Sequence, residues 1–239
     1  MPEETEGAAR ARRVRAMFTR IAPRYDLMNA LMTAGRDQAW RRMAARLAMP
    51  FPGGLVLDLA TGTADLALAF LGETPTRGVV GVDFVEDMLR IGREKLAGRG
   101  ETRVRLVAAD ALALPFSDGV FACVASAFLL RNLADLEAGL SEMRRVTAPG
   151  GTVVALEITQ PTLPGWRDVF RLYFHHVVPA VGALVGRDRS AYTYLPESVN
   201  RFVTPPELER LMTEAGVGDV RFARAGLGTV TIHVGRVPG

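Results

Sequence analysis

Val56-Leu57-Asp58-Leu59-Ala60-Thr61-Gly62-Thr63-Ala64-Asp65 decides the fold. An apolar run that ends in a small-residue turn and passes into a helical pattern is a buried parallel strand, delivering backbone N–H groups to a ligand at its carboxyl end. The glycine and threonines of that turn, Thr61, Gly62 and Thr63, let a ligand approach the chain closely. Downstream, Val79-Val80-Gly81-Val82-Asp83 and Val107-Ala108-Ala109-Asp110 repeat the passage from apolar run to acid. Together the three stretches read as a cradle for a nucleoside cofactor.

The acids narrow the cofactor. Asp83 closes its strand about 20 residues after the turn, where a doubly wound fold places a carboxylate to accept both hydroxyl protons of an adenosine ribose. NAD and S-adenosylmethionine both satisfy that. The turn lacks the G-x-G-x-x-G spacing that a pyrophosphate needs, and Asp58 on the strand before it would repel an anion but not a cationic amino-acid tail. Asp110 is placed to accept from the exocyclic amine of adenine. Acids at three successive strand ends favour S-adenosylmethionine over the alternative that all three are helix N-caps.

Length and composition bound the remainder. At 239 residues, 49% of them apolar, the chain can bury one full core. A net charge of +3 is too small to argue for nucleic acid. Arg10, Arg12, Arg13, Arg15, Arg20, Arg24, Arg36, Arg41, Arg42 and Arg46 crowd residues 10–46, either as a solvated helix face or as a weak attraction to an anionic membrane surface. Cys123, the single cysteine, sits in an apolar strand, so a disulfide framework and a Cys/His metal site are not expected. The apolar piece Val177–Val185 is too short to cross a bilayer, and the chain is expected to be soluble and cytoplasmic, with a location at the inner face of the membrane left open.

Along the chain, residues 1–9 are expected to be disordered, after which Val14, Met17, Phe18 and Ile21 recur at helical spacing until Pro23. A second helix runs through Trp40 and Leu47, giving a helical cap over residues 1–50. Residues 51–239 follow as the core domain, with strands at 55–60, 78–83, 103–108, 120–127 and 152–158 and helices between them, which predicts an α/β fold with a parallel sheet wound on both sides. From 159 to 204 the alternation stops in an aromatic stretch containing Trp166, Phe170, Tyr173 and Phe174, read as a lid insertion. A helix at 205–216, a strand at 219–224 and a last strand at 229–235 end the chain, the two strands pairing antiparallel.

Several tracts resemble a known family. Arg24-Tyr-Asp-Leu-Met-Asn29, Asp58-Leu-Ala-Thr-Gly-Thr63, Leu114-Pro-Phe-Ser-Asp118, Leu130-Arg131-Asn132, Glu142-Met-Arg-Arg-Val146, Pro149-Gly-Gly151, Tyr192-Thr-Tyr-Leu-Pro-Glu-Ser198 and Ile232-His-Val-Gly235 look like the ubiquinone/menaquinone biosynthesis C-methyltransferases. The resemblance implies a class I S-adenosylmethionine-dependent methyltransferase fold: Rossmann-like, with a mostly parallel seven-stranded sheet and an antiparallel final strand. It also implies C-methylation of a demethylated polyprenyl quinol, with demethylmenaquinol to menaquinol preferred. Thr63, Asp83 and the Asp110-Ala111 pair match the family's cofactor contacts, and Arg131, Asn132 and Tyr25 match the polar residues that organise the acceptor. With Asp58, Thr61, Gly62, Phe84 and Ser126, these complete the candidate site. The chain departs from the family at Ala64, where a glycine is usual and the methyl costs little if φ is negative, at Ala127, which leaves a hydrogen bond to be supplied by Ser126, and at Asp37, which replaces a histidine.

A sulfonium methyl is already activated, so positioning carries most of the rate. Deprotonating a quinol hydroxyl enriches the neighbouring ring carbon, and a guanidinium stabilises the resulting phenolate. Arg131 is the candidate for that role, against a purely structural pairing with Asp135. Arginine is a poor base, so the proton goes through water or through Tyr25, Asp26, His175 or His176. The aromatic and aliphatic residues of 166–185 line an apolar tunnel for a polyprenyl tail, or simply pack a lid helix. Competing readings are a methyltransferase of the same fold with another small acceptor, and a non-catalytic S-adenosylmethionine-binding partner of quinone-pathway enzymes. A homodimer is left open.

Overall fold

The computed structural model describes residues 6–239. Its centre is a seven-stranded sheet, β1 (Leu55–Leu59), β2 (Gly78–Asp83), β3 (Val104–Ala108), β4 (Phe121–Ala127), β5 (Thr147–Ile158), β6 (Gly218–Ala225) and β7 (Val230–Arg236), in the order β3-β2-β1-β4-β5-β7-β6. β1 to β5 are parallel, and β7 runs antiparallel to both β5 and β6. The order reverses between β1 and β4, so a crevice opens at their carboxyl ends, where a doubly wound sheet binds its ligand.

Alternation along the strands builds one core on each face. Val56, Val79, Cys123, Val154 and Ile232 point to α3 (Arg36–Ala48) and α4 (Asp65–Glu73), while Leu57, Val82, Val124 and Val153 point to α6 (Leu136–Val146) and α10 (Pro205–Glu214). Burial pushes the Cys123 thiol up to about 12, as befits an inert core thiol. His233 is wholly buried on β7 with Nε2 2.9 Å from the Pro205 carbonyl, and burial lowers its pKa to about 4. α5 (Glu86–Gly98) joins β2 to β3.

A third apolar cluster lies above the strand ends. It joins α1 (Glu6–Ile21) and α2 (Tyr25–Thr33) to the long insertion between β5 and α10. In that insertion α7 (Trp166–Leu172) and α8 (Val178–Val181) form one continuous helix, Trp166–Gly186, with π-helical turns at Tyr173–Val177 and Gly182–Gly186; α9 (Arg189–Arg201) returns across it. Tyr192 of α9 explains the small residues opposite, because a Cβ at Gly182 would come within 2.3 Å of its ring. Asp188 caps α9 by accepting from the Ala191 amide at 3.1 Å and is held by Arg20 of α1 at 2.8 Å.

Local expectations differ from the structure at a few points. Of the segment expected to be disordered, residues 1–5 lie outside the described residues and residues 6–9 are the first turn of α1. α2 was not foreseen, because Pro23 and Gly35 confine it to nine residues, too few to establish a period. β5 begins at Thr147 and runs through Pro149-Gly150-Gly151 as an irregular strand, Gly150 holding φ +73°. Ala64 adopts φ +71°, so the negative φ that would have made its methyl harmless is not the one it has. Trp166–Gly186, at 21 residues, is by length and composition long enough to cross a membrane, although its apolar core Val177–Val185 read as too short.

Candidate active site

The turn after β1 and the end of β2 are knitted together through Asp83. Its Oδ2 accepts from the Gly62 amide at 2.9 Å and its Oδ1 from the Val85 amide at 2.8 Å. Burial raises its pKa to about 6, against the backbone donors that favour the charged form. Gly62 carries φ +56°, which an L side chain rarely adopts, and presents a bare Cα toward Tyr25. Gly81, one pleat earlier, has no room for a Cβ, which would lie 2.7 Å from both Leu106 and Thr61.

A narrow crevice runs along these strand ends as two small cavities of about 60 and 40 Å³. Both meet Asp83, Phe84, Leu129 and Asn132; Asp110 and Ala111 line one, Gly62 and Tyr25 the other. Asp110 also accepts from the Leu112 amide at 2.9 Å, closing its own turn. α1 lays Val14 along both cavities.

Four sequence candidates, Asp58, Thr61, Thr63 and Ser126, stand behind this wall and line neither the crevice nor the larger cavity beyond it. Asp58 is buried and its Oδ2 accepts from the Thr61 hydroxyl at 2.7 Å, so the acid expected to face a cationic tail also braces the turn from below. Its Oδ1 is buried without a partner, as is the Ser126 hydroxyl on β4, and burial raises the Asp58 pKa to about 7. Thr63 donates to Asp26 Oδ1 at 2.6 Å and accepts from Lys95 at 2.9 Å. Lys95 also pairs with Asp26 at 2.6 Å and Asp65 at 2.7 Å, so Asp26, named as a proton relay, is held in a tie between α2 and α5 and does not line the larger cavity.

Beyond the crevice lies a cavity of about 390 Å³ under the cap and insertion helices. Phe128, Asn132, Tyr25 and Phe18 line both spaces, so the two meet at the end of β4. Most of the wall is apolar or aromatic, including Met17, Ile158, Phe170, Phe174 and Leu195. One pole is polar. There Arg131 Nη1 lies 2.7 Å from Glu157 Oε2, both side chains almost wholly buried, and Glu157 Oε1 accepts from the Leu130 amide at 2.7 Å. Burial raises the Glu157 pKa and the Arg131 guanidinium opposes it. Arg131 therefore pairs with Glu157 and not with Asp135, which caps α6 by accepting from the Ala138 amide at 2.9 Å.

Around that pair, Asn132 donates to the Phe128 carbonyl at 3.0 Å and accepts from the Tyr194 hydroxyl at 3.1 Å. Tyr25 is partly buried, and desolvation raises its phenol pKa while Arg41, Asn29 and Arg131 pull it down. Phe128, at φ +64°, is held between two guanidinium groups, Arg41 at 5.4 Å and Arg131 at 5.6 Å from its ring centre.

Arg41 pairs with Asp37 at 2.7 Å, and Asp37, buried and accepting from Thr33 at 3.1 Å, lines the cavity. Neither Asp37, Arg41 nor Glu157 was among the candidates. Only the departure at Asp37 signalled this corner, since a charged residue every fourth position of α3 reads as an ordinary exposed pair. His175 and His176 face outward into open grooves away from the cavity, His175 Nε2 lying 3.4 Å from Asn200, so they relay nothing to it.

Comparison with known proteins gives consistent results. A model of the ubiE/COQ5 methyltransferase family matches residues 6–237. The chain is 48% identical to the demethylmenaquinone methyltransferase of Thermus thermophilus over 93% of its length and all of the relative's. It is 42% identical to the ubiquinone/menaquinone biosynthesis C-methyltransferase UbiE of a Geobacter species, covering 93% of this chain and 95% of that one. Among solved structures it is similar to an S-adenosylmethionine-dependent methyltransferase of Thermotoga maritima, at TM-score 0.66 and 17% identity over 92% and 98% of the two chains. The [4+2]-cyclase SpnF is also similar, at TM-score 0.69 and 16% identity over 94% and 95%. A cyclase on this fold shows that architecture alone does not fix the reaction.

Proposed function

This chain belongs to the ubiE/COQ5 methyltransferase family, and we propose that the acceptor it methylates is a ring carbon of a demethylated polyprenyl quinol, demethylmenaquinol first among the alternatives. It is an S-adenosylmethionine-dependent methyltransferase of respiratory quinone biosynthesis with the class I fold. The observation that carries the acceptor reading is the cavity of about 390 Å³, lined mostly by apolar and aromatic side chains and carrying Arg131 and Asn132 at the end that meets the crevice, a composition that suits a hydrophobic tail ending in a hydroxylated ring.

The crevice suits the donor. Asp83 would accept the ribose hydroxyls, Asp110 and Ala111 would take the adenine end, and the bare Cα of Gly62 leaves room beside Tyr25. The orphaned Asp58 Oδ1 and Ser126 hydroxyl beneath the turn fit a cationic, hydrogen-bonding ligand, with Thr61 and Thr63 shaping the turn itself. When bound, S-adenosylmethionine supplies an electrophilic methyl on a sulfonium. A nucleoside needs a pocket of a few hundred Å³, so α1, which lies on the crevice through Val14, is read as moving aside on entry.

Arg131, Asn132 and Tyr25 then hold the ring oxygen at the polar pole, Arg131 stabilising negative charge as it develops there. Because Glu157 already pairs with one edge of the guanidinium, the unpartnered Nε side is the part that serves the acceptor. The Asp37 carboxylate, aligned by Arg41 and Thr33, is read as the group that takes the hydroxyl proton. The test is incubation with methyl-labelled S-adenosylmethionine and a short-chain demethylmenaquinol under reducing conditions. Label on the ring carbon is expected; cofactor binding with no transfer to this or to a demethylated benzoquinol would refute the reading.

A further inference from the structure

Exposed apolar side chains are concentrated on one part of the molecule. Among the described residues, eight of the eleven exposed large apolar side chains lie on α2, between Leu163 and Leu184, or at Leu227. Scattered singly they would need no explanation, but a concentration of this kind marks a surface that meets something apolar. Leu27 and Leu31 stand one helical turn apart on α2, and Leu172 and Leu184 are 63% and 81% exposed on the long helix.

Hydrogen bonds make these two helices one surface. Arg24 donates to the Val185 carbonyl at 3.0 Å, and Tyr173 to the Met32 carbonyl at 2.8 Å. The cavity opens there as well. Leu227 lines the cavity yet is 73% exposed, and its carbonyl accepts from the Trp166 indole at 3.1 Å, so the mouth lies beside the start of the long helix.

From these observations the geometry points to an anionic lipid surface as the partner of this face, with the helix Trp166–Gly186 lying along the membrane and the cavity mouth opening toward the acyl region. The inference rests on the polyprenyl quinol reading, because a membrane-confined tail needs such an entry. The helix has only 28% of its most apolar stretch buried. It does not span, because Phe174 and Val178 are packed into the cap cluster and leave only the opposite side for lipid.

Charge selects lipid over a second copy of the chain. Arg167, Arg171, Arg187 and Arg189 flank the patch against Asp168 and Asp188, and Asp188 is already held by Arg20. A two-fold dimer through this face would set the arginines against their own copies, whereas phosphatidylglycerol headgroups would neutralise them.

The test is cosedimentation of the full chain with phosphatidylcholine vesicles and with mixed phosphatidylcholine–phosphatidylglycerol vesicles, beside Leu172→Ser/Leu184→Ser. Wild type is expected to bind the anionic vesicles, less so as salt rises. The double variant should lose about tenfold per leucine while keeping its cofactor affinity and its turnover of a water-soluble short-chain acceptor. Wild type remaining in solution at every composition, or equal binding by the variant, would overturn the inference. So would a wild-type dimer that the double substitution splits. Vesicle binding without methylation of any quinol acceptor would leave the docking face standing and refute the acceptor reading alone.

Discussion

The crevice at the strand ends and the cavity beneath the helices are neighbours built by opposite means. The crevice is made by the sheet, from the termini of β1, β2, β3 and β4 and from backbone amides fixed by Asp83. The cavity is made by side chains from α1, α2, α3, the turn after β4, β5, β7 and the insertion, brought together by two buried ion pairs and a phenylalanine under two guanidinium groups. The difference teaches where chemistry can be general and where it must be particular. A parallel sheet delivers the same strand ends to many proteins, while the acceptor site depends on what the insertions carry.

The sharpest way to break this contrast is to remove one member of a buried ion pair. Arg131→Ala leaves Glu157 buried without its counter-charge and is expected to cost about 3–5 kcal/mol of stability, read as a lowered urea midpoint. Adding Glu157→Ala should return most of it. On the other side, Asp83→Ala should weaken cofactor binding by about a hundredfold, measured calorimetrically, with little effect on the cavity. Asp37→Asn should do the reverse, lowering kcat at least tenfold while cofactor affinity stays within about twofold.

Acidity provides a gentler probe. Asp83 has its pKa raised to about 6 in the folded protein, so the stability linked to it is fully present below the unfolded carboxylate value near 4 and is lost as pH rises through about 6. Cofactor binding needs the charged carboxylate and should run the other way, flat above pH 7 and weakening as pH falls below about 6. A titration from pH 8 to 5 that shows no weakening would separate Asp83 from the ribose. The smallest expected effect is at Ala64, whose φ of +71° strains an L residue: Ala64→Gly should stabilise by about 1 kcal/mol, seen as a raised Tm.

The same contrast explains what the sequence disclosed. β1, β2 and their acids lie in contiguous runs, because a buried parallel strand must be apolar along its whole length and its turn follows at once. Asp83, Asp110 and Gly62 were therefore legible at their places in the crevice. Asp58 was legible as an acid but not as a brace, since only three-dimensional packing decides which side of the turn it faces. The Arg131–Glu157 pair is separated by 26 residues and Arg41 lies further still from the Phe128 ring it covers, so no local pattern announces them. α2 and the two π-helical turns were missed for a different reason, since segments of nine and five residues are too short to establish a period.

Arg131 either works on the acceptor or merely holds Glu157. The measurement is single-turnover methyl transfer to short-chain demethylmenaquinol by Arg131→Ala/Glu157→Ala, alongside its cofactor affinity. Wild-type cofactor binding with transfer slowed by a hundredfold or more is the predicted result. Transfer at close to the wild-type rate in that stably folded variant would contradict it and reduce the buried pair to a structural tie.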